Sequence, residues 1–92
     1  MTSEELKERV LSEIGDRTRS DQGWDFRPHL LTTPELRDYE GEMLWTVLIE
    51  RTANGTDGYH IVFDPSMNMF GLAVGGDCFN LYDSFMDAIN GM

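Results

Sequence analysis

The stretch from Tyr59 to Val74, YHIVFDPSMNMFGLAV, decides the fold. Tyr59, Ile61 and Phe63 alternate with His60, Val62 and Asp64, and Phe70, Leu72 and Val74 alternate with Gly71 and Ala73. Period-two alternation marks strands that bury one face. Between them, Asp64-Pro65-Ser66-Met67-Asn68 places Asp and Pro where a type I turn takes them, and Asn68 tolerates a left-handed backbone. An antiparallel hairpin is predicted.

Upstream, the run MLWTVLIERT from Met43 to Thr52 is β-branched, aromatic and apolar on both parities, the pattern of a central strand covered on both faces. ANGTDG, residues 53–58, is a dense turn. Its Asn54-Gly55-Thr56 matches a glycosylation sequon, but without an export signal it reads as a turn. Downstream, Gly75-Gly76-Asp77 ends the hairpin's second strand, and Cys78 to Leu81 forms a short fourth strand or a loop. Ser84 and Asp87 stand in capping-box relation over SFMDAINGM, where Phe85, Ala88 and Ile89 share a helical face. A short closing helix is expected.

At the other end, Thr2 and Ser3 followed by Glu5 make a capping-box start, and Leu6, Val10, Leu11 and Ile14 recur at helical spacing until Gly15. A helix over residues 3–15 follows. Residues 16–23 read as a loop. Trp24 and Phe26 alternate with Asp25 and Arg27 as a short strand or extended segment ending at Pro28, which residues 29–31 continue. Thr32 to Glu35 reads as a turn or a helix cap with Pro34 at the first helical position, and Arg37 to Glu42 as a loop. The expected architecture is a single α+β domain over residues 1–92. An antiparallel sheet of three or four strands packs on the N-terminal helix and is braced by the short C-terminal one.

The chain has 92 residues and a net charge of −10, with 40% hydrophobic residues, too apolar for disorder. A chain this short buries roughly 60–65% of its unfolded surface, which limits it to one core. The charge is uneven. From Glu42 onward there are seven acids and a single basic residue, Arg51. Gripping phosphates takes clustered Lys and Arg, so direct nucleic-acid binding is not expected, and an anionic membrane would repel this field. A basic protein surface would attract it. MTSEELKERV carries no apolar export core, and no run approaches the ~20 apolar residues of a membrane span, so a cytoplasmic location is expected.

Catalytic and metal chemistry finds little support. Cys78 is the one cysteine, which excludes an intrachain disulfide. Its neighbour Asp77 raises a thiol pKa rather than lowering it, so pairing with His60 or His29 makes a poor nucleophile. His29, His60 and Cys78 lack zinc-ligand spacing. Asp64, Ser66 and Asn68 mimic the first positions of a calcium loop, but Met69 replaces the required glycine and Gly75 the bidentate glutamate. FGLAVGGD has neither the glycine pattern nor the lysine of a phosphate loop. No cofactor or metal is expected.

Three features point to partners. The acids Asp57, Asp64, Asp77, Asp83 and Asp87 form a one-signed C-terminal half. Trp24 beside Asp25, Phe26, and Tyr82 beside Asp83 have the aromatic character of interface anchors. The sheet face opposite the helices carries Val62, Gly71 and Ala73 beside either Leu44, Thr46 and Leu48 or Trp45, Val47 and Ile49. Either a helix lies on each side and both faces are core, or this face is an apolar patch for a partner. The first functional reading is a non-catalytic, nucleic-acid-mimicking inhibitor of the immunity or anti-defence kind, docking a basic surface of a nuclease or toxin. The second is a homodimer or larger assembly through the free sheet face, and the third a small enzyme using Cys78 with His60.

Overall fold

A computed structural model describes residues 1–55 and 57–92; Thr56, in the turn and sequon noted above, lies outside them. Helix α1 spans Ser3–Ile14, and strands β1 (Leu30–Tyr39), β2 (Glu42–Arg51), β3 (Asp57–Asp64), β4 (Met69–Val74) and β5 (Asp77–Tyr82) precede helix α2, Phe85–Asn90. The strands form one antiparallel sheet in the order β1-β2-β3-β4-β5. The α+β class and both helices follow the sequence reading, with more strands than expected.

The capping box of α1 is present: Glu5 N donates to Thr2 Oγ1 at 3.2 Å and Thr2 N to Glu5 Oε1 at 2.9 Å. These bonds hold the Glu5 carboxyl below its ordinary pKa, the backbone donor contributing most. The β3–β4 hairpin pairs Phe63 with Phe70 and Ile61 with Leu72. In its turn Asp64 Oδ1 accepts from Ser66 N at 2.9 Å and Ser66 Oγ at 2.7 Å, and Asn68 takes φ 54°. The Asp–Pro turn chemistry therefore operates as read.

Three expectations are corrected. Residues 24–31 are not one strand: Asp25 makes an isolated bridge with Arg19, Arg27–His29 form a 3-10 turn with Pro28 inside it, and the strand begins at Leu30. Residues 32–39 are neither turn nor loop but most of β1, joined to β2, which begins at Glu42, through a two-residue turn at Glu40 and Gly41. Those two residues have φ 54° and 91°, the double left-handed geometry of a type I′ hairpin. Pro34 is tolerated because β1 is an edge strand and the register breaks between Leu30 and Glu35. Finally, α1 and α2 lie on the same side of the sheet. Leu6, Val10 and Ile14 from α1 and Phe85, Ala88 and Ile89 from α2 share one core with Phe26, Leu48, Ile61, Phe63, Phe70 and Leu72. Residues 78–81, open between strand and loop, belong to β5.

The helix-free face is closed by the chain's own hairpin. Tyr39 and Leu44, near the β1–β2 tip, pack with Val62, Ala73 and Cys78 of β3, β4 and β5. For that contact to form, the tip must curl back across the sheet, aided by register breaks in β2 between Thr46 and Leu48 and between Ile49 and Arg51. The first break also settles which β2 residues face this side: Thr46 pairs with Val62 and Ile49 with His60, while Val47 and Leu48 both join the helix-side core. Tyr39 is 6% exposed, Leu44 3%, Val62 1% and Ala73 0%, so the floor is buried within a single chain.

Candidate functional site: an acidic face around the curled hairpin

Curling brings polar groups together as well as apolar ones. Tyr39 Oη lies 2.9 Å from His60 Nδ1 and 2.5 Å from Thr46 Oγ1, and His60 Nε2 lies 3.6 Å from Asp57 Oδ2. Thr46 is fully buried, so the tyrosine hydroxyl satisfies a side chain that water does not reach. Burial pushes the His60 pKa below its ordinary value, opposed by Asp57, and burial pushes the Tyr39 hydroxyl upward. A neutral imidazole is the form this network holds.

The same fold-over places Glu40 of the hairpin tip against Asp77 at the start of β5. Hydrogen bonding to Asp77 first, and Asp77's charge next, raise the Glu40 pKa above its ordinary value. Around Cys78, burial acts first and the charges of Glu42 and Asp64 next, raising the thiol pKa. This environment disfavours a thiolate. Among the described residues no three of His, Cys, Asp or Glu converge as metal ligands.

The residues singled out from sequence fall into separate groups. Tyr82, Asp83 and Asp87 do meet, lining one shallow depression with Met69, Leu81 and Asn90. Asp77 stands at the opposite end of β5 beside Glu40. Asp57 pairs with His60, and Asp64 is occupied by its own turn. Trp24 and Asp25 lie elsewhere: Trp24 packs on the helix-side core with its ring 4.9 Å from that of His29, and Phe26 is wholly within that core. Sequence reasoning missed Glu40 and Glu42, whose stretch reads as loop. Glu40-Gly41 is a weaker type I′ signal than Asn-Gly or Asp-Gly.

The cations are placed differently. Arg17 pairs with Asp21 at 2.8 Å and Arg37 with Glu35 at 2.8 Å. The Arg9 guanidinium sits 5.0 Å from the Phe63 ring centre and 5.3 Å from that of Phe70, and donates to Asn68 Oδ1. No helix is long and apolar enough to cross a membrane among the described residues. Comparison with family models, curated proteins and solved structures finds no match, so function is argued from this geometry alone.

Proposed function

We propose that this protein is a non-catalytic binding module that docks its acidic surface onto a basic surface of a protein partner. In the most specific form it is a small inhibitor of the immunity or anti-defence kind, occupying the nucleic-acid groove of a nuclease or toxin. The observation that supports this reading is the Glu40–Asp77 pair. Two exposed acids far apart in sequence are brought close enough for Asp77 to raise the Glu40 pKa, a place where a cation would satisfy both. At the other end of β5, Asp83 and Asp87 form a second group of the same sign around the Tyr82 depression. A lysine or arginine entering from a partner relieves the repulsion between Glu40 and Asp77.

The test is affinity capture from host lysate with the intact chain, repeated with Asp77→Lys and with the pair Asp83→Lys and Asp87→Lys. A nucleic-acid-binding protein retained by the natural chain, lost on charge reversal, and inhibited in its nucleic-acid binding supports the proposal. Capture unaffected by either reversal contradicts it. Because a partner cation favours the ionised form of Glu40, whose pKa Asp77 raises, affinity also falls as pH drops into the carboxylate range.

A further inference from the structure

One concavity has the opposite electrostatic character. It lies between α1 and the first half of β1, encloses about 260 Å³, and is walled by Val10, Leu11, Leu30, Leu31, Pro34 and Val47. Lys7 and Arg27 line it as well, and no carboxylate does. The chain's net charge is −10, and the Tyr82 depression, by contrast, is lined by Asp83 and Asp87.

Its shape follows from the β1 irregularity. Leu30 pairs with Leu48 and the next registered pair is Glu35 with Thr46, so β1 arches away from β2 over the intervening residues. The arch forms one wall and α1 the other. Pro34 has no N–H and the ladder is broken here, so this edge does not template an added peptide strand. Leu11, 40% exposed, offers an apolar surface that an aliphatic chain covers.

The cations are available. Arg27 donates from Nε to Arg17 O at 2.9 Å and from Nη2 to Gly15 O, carbonyls that fix the guanidinium without neutralising it. Among the described residues Lys7 makes no ion pair. A fixed arginine and a lysine without an ion pair beside an apolar trough suit a ligand with one anionic end and one apolar end.

We propose that this groove binds a medium-chain aliphatic carboxylate, its chain against Val10, Leu11 and Leu31 and its carboxylate between Lys7 and Arg27. The volume lies below the roughly 300–1,000 Å³ of pockets for drug-sized ligands, which fits a single short tail. This site is independent of the acidic docking face.

The experiment titrates hexanoate, octanoate and 1-octanol into the intact ¹⁵N-labelled chain. Amide shifts for both carboxylates are expected to be confined to α1 and the first half of β1. Each added methylene tightens binding by up to about fourfold, and octanol binds several-fold more weakly than octanoate. Lys7→Gln weakens octanoate several-fold and leaves octanol unchanged, whereas Leu11→Gln, at an exposed helical position, weakens both. Reversing Asp83 and Asp87 changes neither. Shifts that are absent at millimolar octanoate or scattered over the surface overturn the proposal, as does equal binding of octanol and octanoate with Lys7→Gln silent.

Discussion

Replacing Glu13 with alanine removes the carboxylate through which α1 caps α2. Helix α2 has six residues, far fewer than the ~12–15 at which an isolated helix becomes even marginal, so its stability comes from outside. Each of its first four N–H groups has an acceptor. Phe85 N donates to Glu13 Oε1 at 3.1 Å, Met86 N to Glu13 Oε2 at 2.7 Å, Asp87 N to Ser84 Oγ at 3.1 Å and Ala88 N to Ser84 O at 3.2 Å. One carboxylate from α1 thus supplies two of the four, at the positive end of the α2 dipole. Hydrogen bonds to a charged group contribute about 1.5–3 kcal/mol, and Glu13 is exposed enough for water to replace part of what it gives. A loss of about 2 kcal/mol follows for Glu13→Ala. At roughly 4–8 °C per kcal/mol for a domain of this size, that lowers Tm by about 10 °C. Glu13→Gln keeps one acceptor oxygen and loses the charge, so about half the effect remains. Urea denaturation followed by circular dichroism measures it, and a cycle with Ser84→Ala separates the two caps. A Glu13→Ala chain within about 0.5 kcal/mol of the natural one refutes the capping role.

The helix-free face gives three further predictions. Tyr39→Phe leaves the buried Thr46 hydroxyl without its partner and costs about 1–3 kcal/mol in urea denaturation; an unchanged midpoint would show that the network does not hold the hairpin tip. His60, depressed below 6.5 by burial, takes up its proton more readily unfolded than folded. Its contribution is therefore complete above pH 6.5 and is lost as pH falls from there toward the folded pKa, so the natural chain loses stability relative to His60→Gln as pH drops below 6.5. A histidine ring titration by NMR with a midpoint at or above 6.5 contradicts this. Gly71→Ala puts a Cβ 2.8 Å from Cys78 Sγ and 3.1 Å from Asn80 O, an overpacking that costs about 1–3 kcal/mol in thermal melts and is partly recovered by adding Cys78→Ala. No recovery in the double variant argues against the contact.

What was legible in the sequence was what local chemistry controls. The Thr2–Glu5 box, the Asp64 turn with left-handed Asn68, and the Ser84 cap are each decided within a few residues. Strand β1 was opaque because it lies at the sheet edge. Its residues are largely exposed, its pattern is broken by Pro34, and polar positions such as Thr32, Thr33 and Asp38 carry no periodic signal. The grouping of Tyr82 with Asp83 and Asp87 was visible because those residues are neighbours across the β5–α2 junction. The meeting of Glu40 with Asp77, of Tyr39 with His60, and the capping of α2 by Glu13 depend on how the hairpin curls and where the helices dock. Two register breaks in β2 direct the first, and pairing patterns in sequence do not encode them locally.

The central claim is that the acidic surface engages a basic partner through charge. Its most direct test is calorimetric titration of the captured partner at about 50, 100 and 300 mM salt, spanning Debye lengths from beyond 10 Å to well below it. Affinity that falls steeply with salt for the natural chain, and is already lost at the lowest salt with Asp83→Lys and Asp87→Lys, is the predicted result. A dissociation constant that stays the same across the series contradicts the claim.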